Sequence, residues 1–108
     1  MGTPYCVVLI TAPKGAQTKR IAHQLVSKRL AACVNVMPSV QSTYWWKGKS
    51  ETAGESLLMV KTKKALLKKL IAFVQKIHPY TVPEVIAVPI INGHKPYLSW
   101  IQRETLTR

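Results

Sequence analysis

Aspartate is absent from this chain of 108 residues, and only four glutamates, Glu51, Glu55, Glu84 and Glu104, face sixteen lysines and arginines. That absence excludes a serine–histidine–aspartate triad. Two cysteines, Cys6 and Cys33, are too few for a disulfide framework and fit no zinc spacing. Both stand in strand-like runs, where a free cysteine acts as a small hydrophobe, so a reducing, cytoplasmic setting is expected. No apolar stretch approaches the roughly 18 residues of a membrane span, and no basic-then-apolar leader opens the chain.

What is present is ordinary in hydropathy and unusual in charge. Hydrophobic residues make up 47% of the chain, enough for a single domain over 1–108 with a real but small core. The net charge is +12. Such a field attracts nucleic acid, anionic membrane or acidic metabolites without choosing among them.

The hydrophobic periodicity gives the order β-α-β-β-α-β with a tail helix. Tyr5 to Ile10 reads as a buried strand ended by Thr11-Ala12-Pro13. Ile21, Ala22, Leu25, Val26 and Leu30 recur at helical spacing. Cys33 to Lys49 is a long extended run interrupted by Pro38, where a bulge or an edge position is expected. Ser56 to Thr62 is the third strand, after a turn within Lys47 to Gly54. The second helix presents Leu66, Leu67, Leu70, Ile71, Val74 and Ile77 on one face, with Thr62 as a cap and Pro79 as the stop. Pro83 to Ile90 is the fourth strand, and Asn92-Gly93 leads into a helix holding Tyr97, Leu98, Trp100 and Ile101. This is an α+β, ferredoxin-like arrangement: an antiparallel sheet with both helices on one face and a short C-terminal helix. The uncovered sheet face calls for self-association.

Chemistry concentrates in the last third. Glu84 heads an apolar strand shortly after His78 and Tyr80, and carboxylates seldom enter such a strand without a partner or a task. His78 precedes Pro79 at a helix end, where it is either a C-terminal cap or a ligand. His23 and His94 read as solvent-facing, as do Glu51 and Glu55 beside the expected hairpin. Trp45 and Trp46 point to opposite faces of a regular strand, one toward the core and one toward a partner or ligand. Gly48-Lys49-Ser50 is not a phosphate loop, because Thr43 stands where its first glycine belongs.

Leu30-Ala31-Ala32-Cys33-Val34-Asn35 with Pro38 beyond it, Tyr44-Trp45-Trp46-Lys47-Gly48-Lys49, Val60-Lys61-Thr62 and His78-Pro79-Tyr80 with Val82-Pro83-Glu84-Val85-Ile86-Ala87 occur here in that order. In these motifs the chain resembles the CutA family of divalent-cation tolerance proteins, from the first strand through Tyr97-Leu98-Ser99-Trp100. The resemblance implies a non-catalytic homotrimer with PII-like architecture and clefts between subunits. It implies a ligand cleft lined by Asn35, Tyr44, Trp46, Lys61, Tyr80, Glu84 and Trp100. Cys33, His78 and Glu84 are the candidate metal ligands, for a divalent cation such as copper; no cofactor is required. Lys61 and Glu84 are equally a structural ion pair in this reading. The basic surface departs from the family pattern and adds sequence-blind nucleic-acid or anionic-surface binding as an alternative, beside a scaffold or anchor role. An RNA-recognition domain is disfavoured, because the third strand, Ser56 to Thr62, carries no aromatic residue.

Overall fold

The structure, a computed structural model, describes residues 2–107. Strand β1 (Tyr5–Ala12) alternates half-buried and buried side chains, so Cys6, Val8, Ile10 and Ala12 all point to one face. Helix α1 (Ala16–Ser27) buries Thr18, Ile21 and Leu25, and helix α2 (Leu67–Ile77) buries Leu70 and Val74. Both stripes meet Val8, Ile10, Leu58 and Val60 in one apolar cluster, so the two helices cover the same face of the sheet. The other strands are β2 (Cys33–Trp46), β3 (Lys49–Lys63) and β4 (Val85–Pro89), followed by helix α3 (Lys95–Glu104). The strand order is β2-β3-β1-β4 and each pairing is antiparallel, which is the ferredoxin-like topology.

Several element ends differ from the sequence reading for physical reasons. Helix α1 stops at Ser27 because Arg29 takes a left-handed conformation (φ 58°). The Leu30 and Arg29 amides then close back onto the Leu25 and Val26 carbonyls, a Schellman ending. Arg29 is held there by an ion pair to Glu104 at 3.0 Å. Thr62 is not a helix cap: it lies in β3 and its hydroxyl donates to the Leu30 carbonyl at 2.6 Å. A single 3₁₀ turn, Lys64–Leu66, precedes α2. Lys63 is buried on β3 and does not join the exposed lysines of α2.

The third strand begins seven residues earlier than its hydrophobic run. Lys47 and Gly48 (φ 49° and 79°) form a two-residue turn of the kind whose twist matches paired strands. This pairs Trp46 with Lys49 and carries the β2–β3 ladder down the whole hairpin. The arm beyond the helices gives the molecule its long dimension, 44 × 27 × 22 Å. Neither tryptophan enters the core: Trp45 is 78% and Trp46 57% exposed, because no helix reaches that far along the arm.

Pro38 does interrupt β2. Met37 pairs with Leu57 and Val40 with Glu55, so β2 takes three residues where β3 takes two. The Ser56 hydroxyl donates to the Pro38 carbonyl at 2.9 Å and pins this bulge. On the face away from α1 and α2, Asn35, Met59, Leu9 and Ile86 stand side by side across all four strands.

Candidate functional site

The end of β1 organises the site through one residue, Thr11. Its carbonyl oxygen lies 2.8 Å from Nε2 of His78, and its hydroxyl donates to a carboxylate oxygen of Glu84 at 3.3 Å. The Tyr80 amide donates to Nδ1 of the same histidine at 3.1 Å. Nδ1 is therefore an acceptor, and Nε2 is the ring nitrogen that donates to the Thr11 carbonyl. His78 does sit at the C-cap of α2, but its ring turns away from the helix carbonyls and ties the 78–84 loop to the sheet.

Tyr80 carries the tie further. Its hydroxyl donates to Oε2 of Glu55 at 2.7 Å. Glu55, expected to be solvent-exposed, is only 8% exposed, because the ladder extends through it and the loop lies over it. Burial first, and then the Glu55 carboxylate that accepts its proton, push the Tyr80 phenol up to about 12. The folded protein thus holds this proton more tightly than an unfolded chain with an ordinary tyrosine near 10. The stabilisation is complete below pH ~10 and disappears as pH rises toward ~12. Thermal melting between neutral and strongly alkaline pH should show a steeper alkaline decline in the parent protein than in Tyr80→Phe. Parallel curves would contradict the assignment.

The loop and the arm together enclose a groove of about 770 Å³. Tyr44 and Trp46 line it from β2, Glu55 from β3, Thr11 from β1, and Tyr80 and Glu84 from the loop. The bulge makes this possible. It shifts the alternation of β2 so that Tyr44 and Trp46 share a face with Glu55, whereas Cys33, Asn35 and Met37 occupy that face before it. Glu55 and Thr11 are diagonal neighbours across the β1–β3 pair, a separation of roughly 7–8 Å between Cα atoms. No lysine or arginine among the described residues lines the groove.

The remaining candidates lie elsewhere. Lys61 pairs with Cys33 on one side and Val7 on the other, four residues along β1 from Thr11 and hence about 13 Å away. Lys61 and Glu84 therefore form no ion pair within the chain. Cys33 lies beside Asn35 (3.9 Å from Sγ to Oδ1) and near Tyr97, whose phenol is raised by burial and by the Cys33 neighbour. Trp100 stacks obliquely on Tyr97 at 5.5 Å and lines a second, smaller depression of about 390 Å³ with Arg29 and Glu104. Cys33, His78 and Glu84 do not converge, and no group of three or more metal-ligating side chains occurs among the described residues. His23 and His94 are exposed, as expected.

Sequence reasoning assigned Glu55 to solvent and missed Thr11. Lys49 to Gly54 has little strand propensity, so the third strand was cut short and Glu55 fell outside it. The signal lay in the partner: a 14-residue β2 requires a strand of matching length beside it.

Fold and groove together define an α+β protein of ferredoxin-like topology with a side groove at the foot of its hairpin arm. The family model of the CutA1 divalent ion tolerance protein matches residues 6–104, and the chain belongs to that family. Over 99 residues it is 46% identical to the divalent-cation tolerance protein CutA of Thermus thermophilus, covering 92% of this chain and 96% of the relative. It is 46% identical over 102 residues to the chloroplastic protein CutA 1 of Oryza sativa, covering 94% of this chain and 58% of that protein. The chain thus spans a little over half the length of the plant and mammalian relatives it matches. The crystal structure of CutA1 from Oryza sativa superposes with a TM-score of 0.95 at 44% identity, over 99% of this chain and 98% of that one. That of CutA1 from the psychrotrophic Shewanella sp. SIB1 does so at 0.94 with 34% identity, over 99% and 100%. No helix among the described residues is long and apolar enough to cross a membrane.

Proposed function

We propose that the protein is a non-catalytic homotrimer of the divalent-cation tolerance type that binds a small ligand or a divalent cation in clefts between subunits. One observation carries this reading. The expected cleft residues fall into two groups, Tyr44, Trp46, Tyr80 and Glu84 at one end of the sheet and Cys33, Lys61 and Trp100 toward the other, with Asn35 next to the second group in the middle row. A single chain leaves each group as half a site; a neighbouring subunit facing its second group to the first groove completes one. A copper-like cation would then draw soft and borderline ligands from two chains, with Cys33 of one copy approaching Glu84 of another. The apolar row on the open sheet face supports assembly, because Ile86 is 52% and Val88 47% exposed on a strand that otherwise reads as core.

Two unbridged cysteines, one buried and one half-buried, suit the cytoplasm. Sedimentation equilibrium at moderate and high salt tests the assembly: a salt-insensitive mass of about 36 kDa, three copies of a 12.1 kDa chain, is expected. A 12.1 kDa species at both salts would remove the cleft.

A second reading has its own observation. Lys19 and Arg20 on α1 and Lys28 just past its end, with Lys64 in the turn before α2 and Lys68 and Lys76 on it, are all exposed on the helical side of the sheet. This layer supports sequence-blind binding of nucleic acid, with affinity falling steeply as salt rises.

A further inference from the structure

The groove is sorted by charge against the rest of the molecule. In a chain of net charge +12, two of four carboxylates, Glu55 and Glu84, line one groove, and no described lysine or arginine joins them. Both side chains reach the space beside Thr11: Glu84 through its hydrogen bond and Glu55 as the diagonal neighbour on β3. The Tyr80 hydroxyl engages Oε2 of Glu55, which orients the carboxylate and leaves the lone pairs of Oε1 for another donor. A carboxylate removed from water is costly unless a charged or hydrogen-bonding partner compensates it, and one phenol compensates only part of that cost.

The ligand class follows by elimination. Two carboxylates repel an anion. Within one chain they also fall short of the six to eight oxygens a hard divalent cation gathers, and among the described residues no third carboxylate, histidine or cysteine lines the groove. About 770 Å³ far exceeds a bare ion and lies in the range of small-molecule sites. Tyr44, Trp46 and Tyr80 line the same space, and aromatic faces attract cations, as Trp46 already does with Lys47 Nζ 5.9 Å from its ring centroid. We propose that the groove recognises an organic ammonium ion, a small amine whose charged nitrogen is met by Glu55 and Glu84 and whose apolar body lies on the aromatic rings. This rests on the reading of the groove as a ligand cleft between subunits in which the second group, Lys61 included, leaves Glu55 and Glu84 free to meet the ligand.

The test is calorimetric titration with three probes of one shape: 2-phenylethylamine, 2-phenylethanol and 3-phenylpropionate. The amine should bind at least about tenfold more tightly than the alcohol, and the carboxylate should give no binding heat. Glu84→Gln, at an exposed position, and Glu55→Gln should each weaken the amine about tenfold while leaving the alcohol unchanged. Equal affinity for amine and alcohol would overturn the charge assignment and keep the groove as a ligand site. No heat from any probe, with native mass and melting intact, would overturn both the ammonium site and the cleft reading beneath it.

Discussion

A glutamate in place of Leu9 is expected to lower the native mass from the roughly 36 kDa of the proposed trimer to that of the 12.1 kDa single chain. Leu9 lies at the centre of the open sheet face, between Met59 on β3 and Ile86 on β4, and it is half-buried within one chain. In an isolated subunit a carboxylate there keeps contact with water and costs little. In a trimer closed over this face three carboxylates would be enclosed without partners, and each uncompensated buried charge costs several kcal/mol. The two situations separate cleanly in an analytical ultracentrifuge. Retention of a trimeric parent mass by Leu9→Glu would show that assembly uses another surface.

Leu58→Ala is the companion experiment, and its effect should fall on the fold. Leu58 pairs with Ile10 on β1 and Val36 on β2 and is completely buried under the helices. Truncating such a leucine leaves a cavity that the surrounding elements fill only in part. A loss of about 3 kcal/mol of unfolding free energy is expected, read from urea denaturation at fixed protein concentration. For a domain with ordinary stability of roughly 5–15 kcal/mol that is a large fraction. A change below about 1 kcal/mol would mean that the core closes over the gap, contrary to its position in the central strand pair. Leu9 and Leu58 occupy adjacent strands and opposite faces, so the two variants separate assembly from folding.

The fold was legible because its elements announce themselves locally. Leu70 and Val74 repeat at helical spacing, Val8 and Ile10 alternate as a half-covered strand does, and Pro38 marks the bulge without any knowledge of its partner strand. The site was legible only in part. Tyr44, Trp46, Tyr80 and Glu84 do share a groove. His78 belongs to its frame, holding the loop through Thr11 and Tyr80. Glu55 read as solvent-facing because its burial depends on a hairpin ladder and an overlying loop some 25 residues away, neither of which leaves a mark on residues 49–54. Lys61 and Glu84 looked like partners by charge alone. Register places them at opposite ends of β1, and charge carries no information about register.

The bulge at Pro38 has a further consequence for the hairpin arm. Because β2 holds one residue more than its partner needs between Met37 and Val40, the arm contains slack. A chain shortened by one residue next to the bulge can draw that surplus in, straighten the ladder and keep every aromatic on its own side. A chain lengthened by one has no comparable reserve, since β3 would have to accommodate a second unmatched residue. The orientation of Tyr44 and Trp46 is thus buffered against loss and vulnerable to gain.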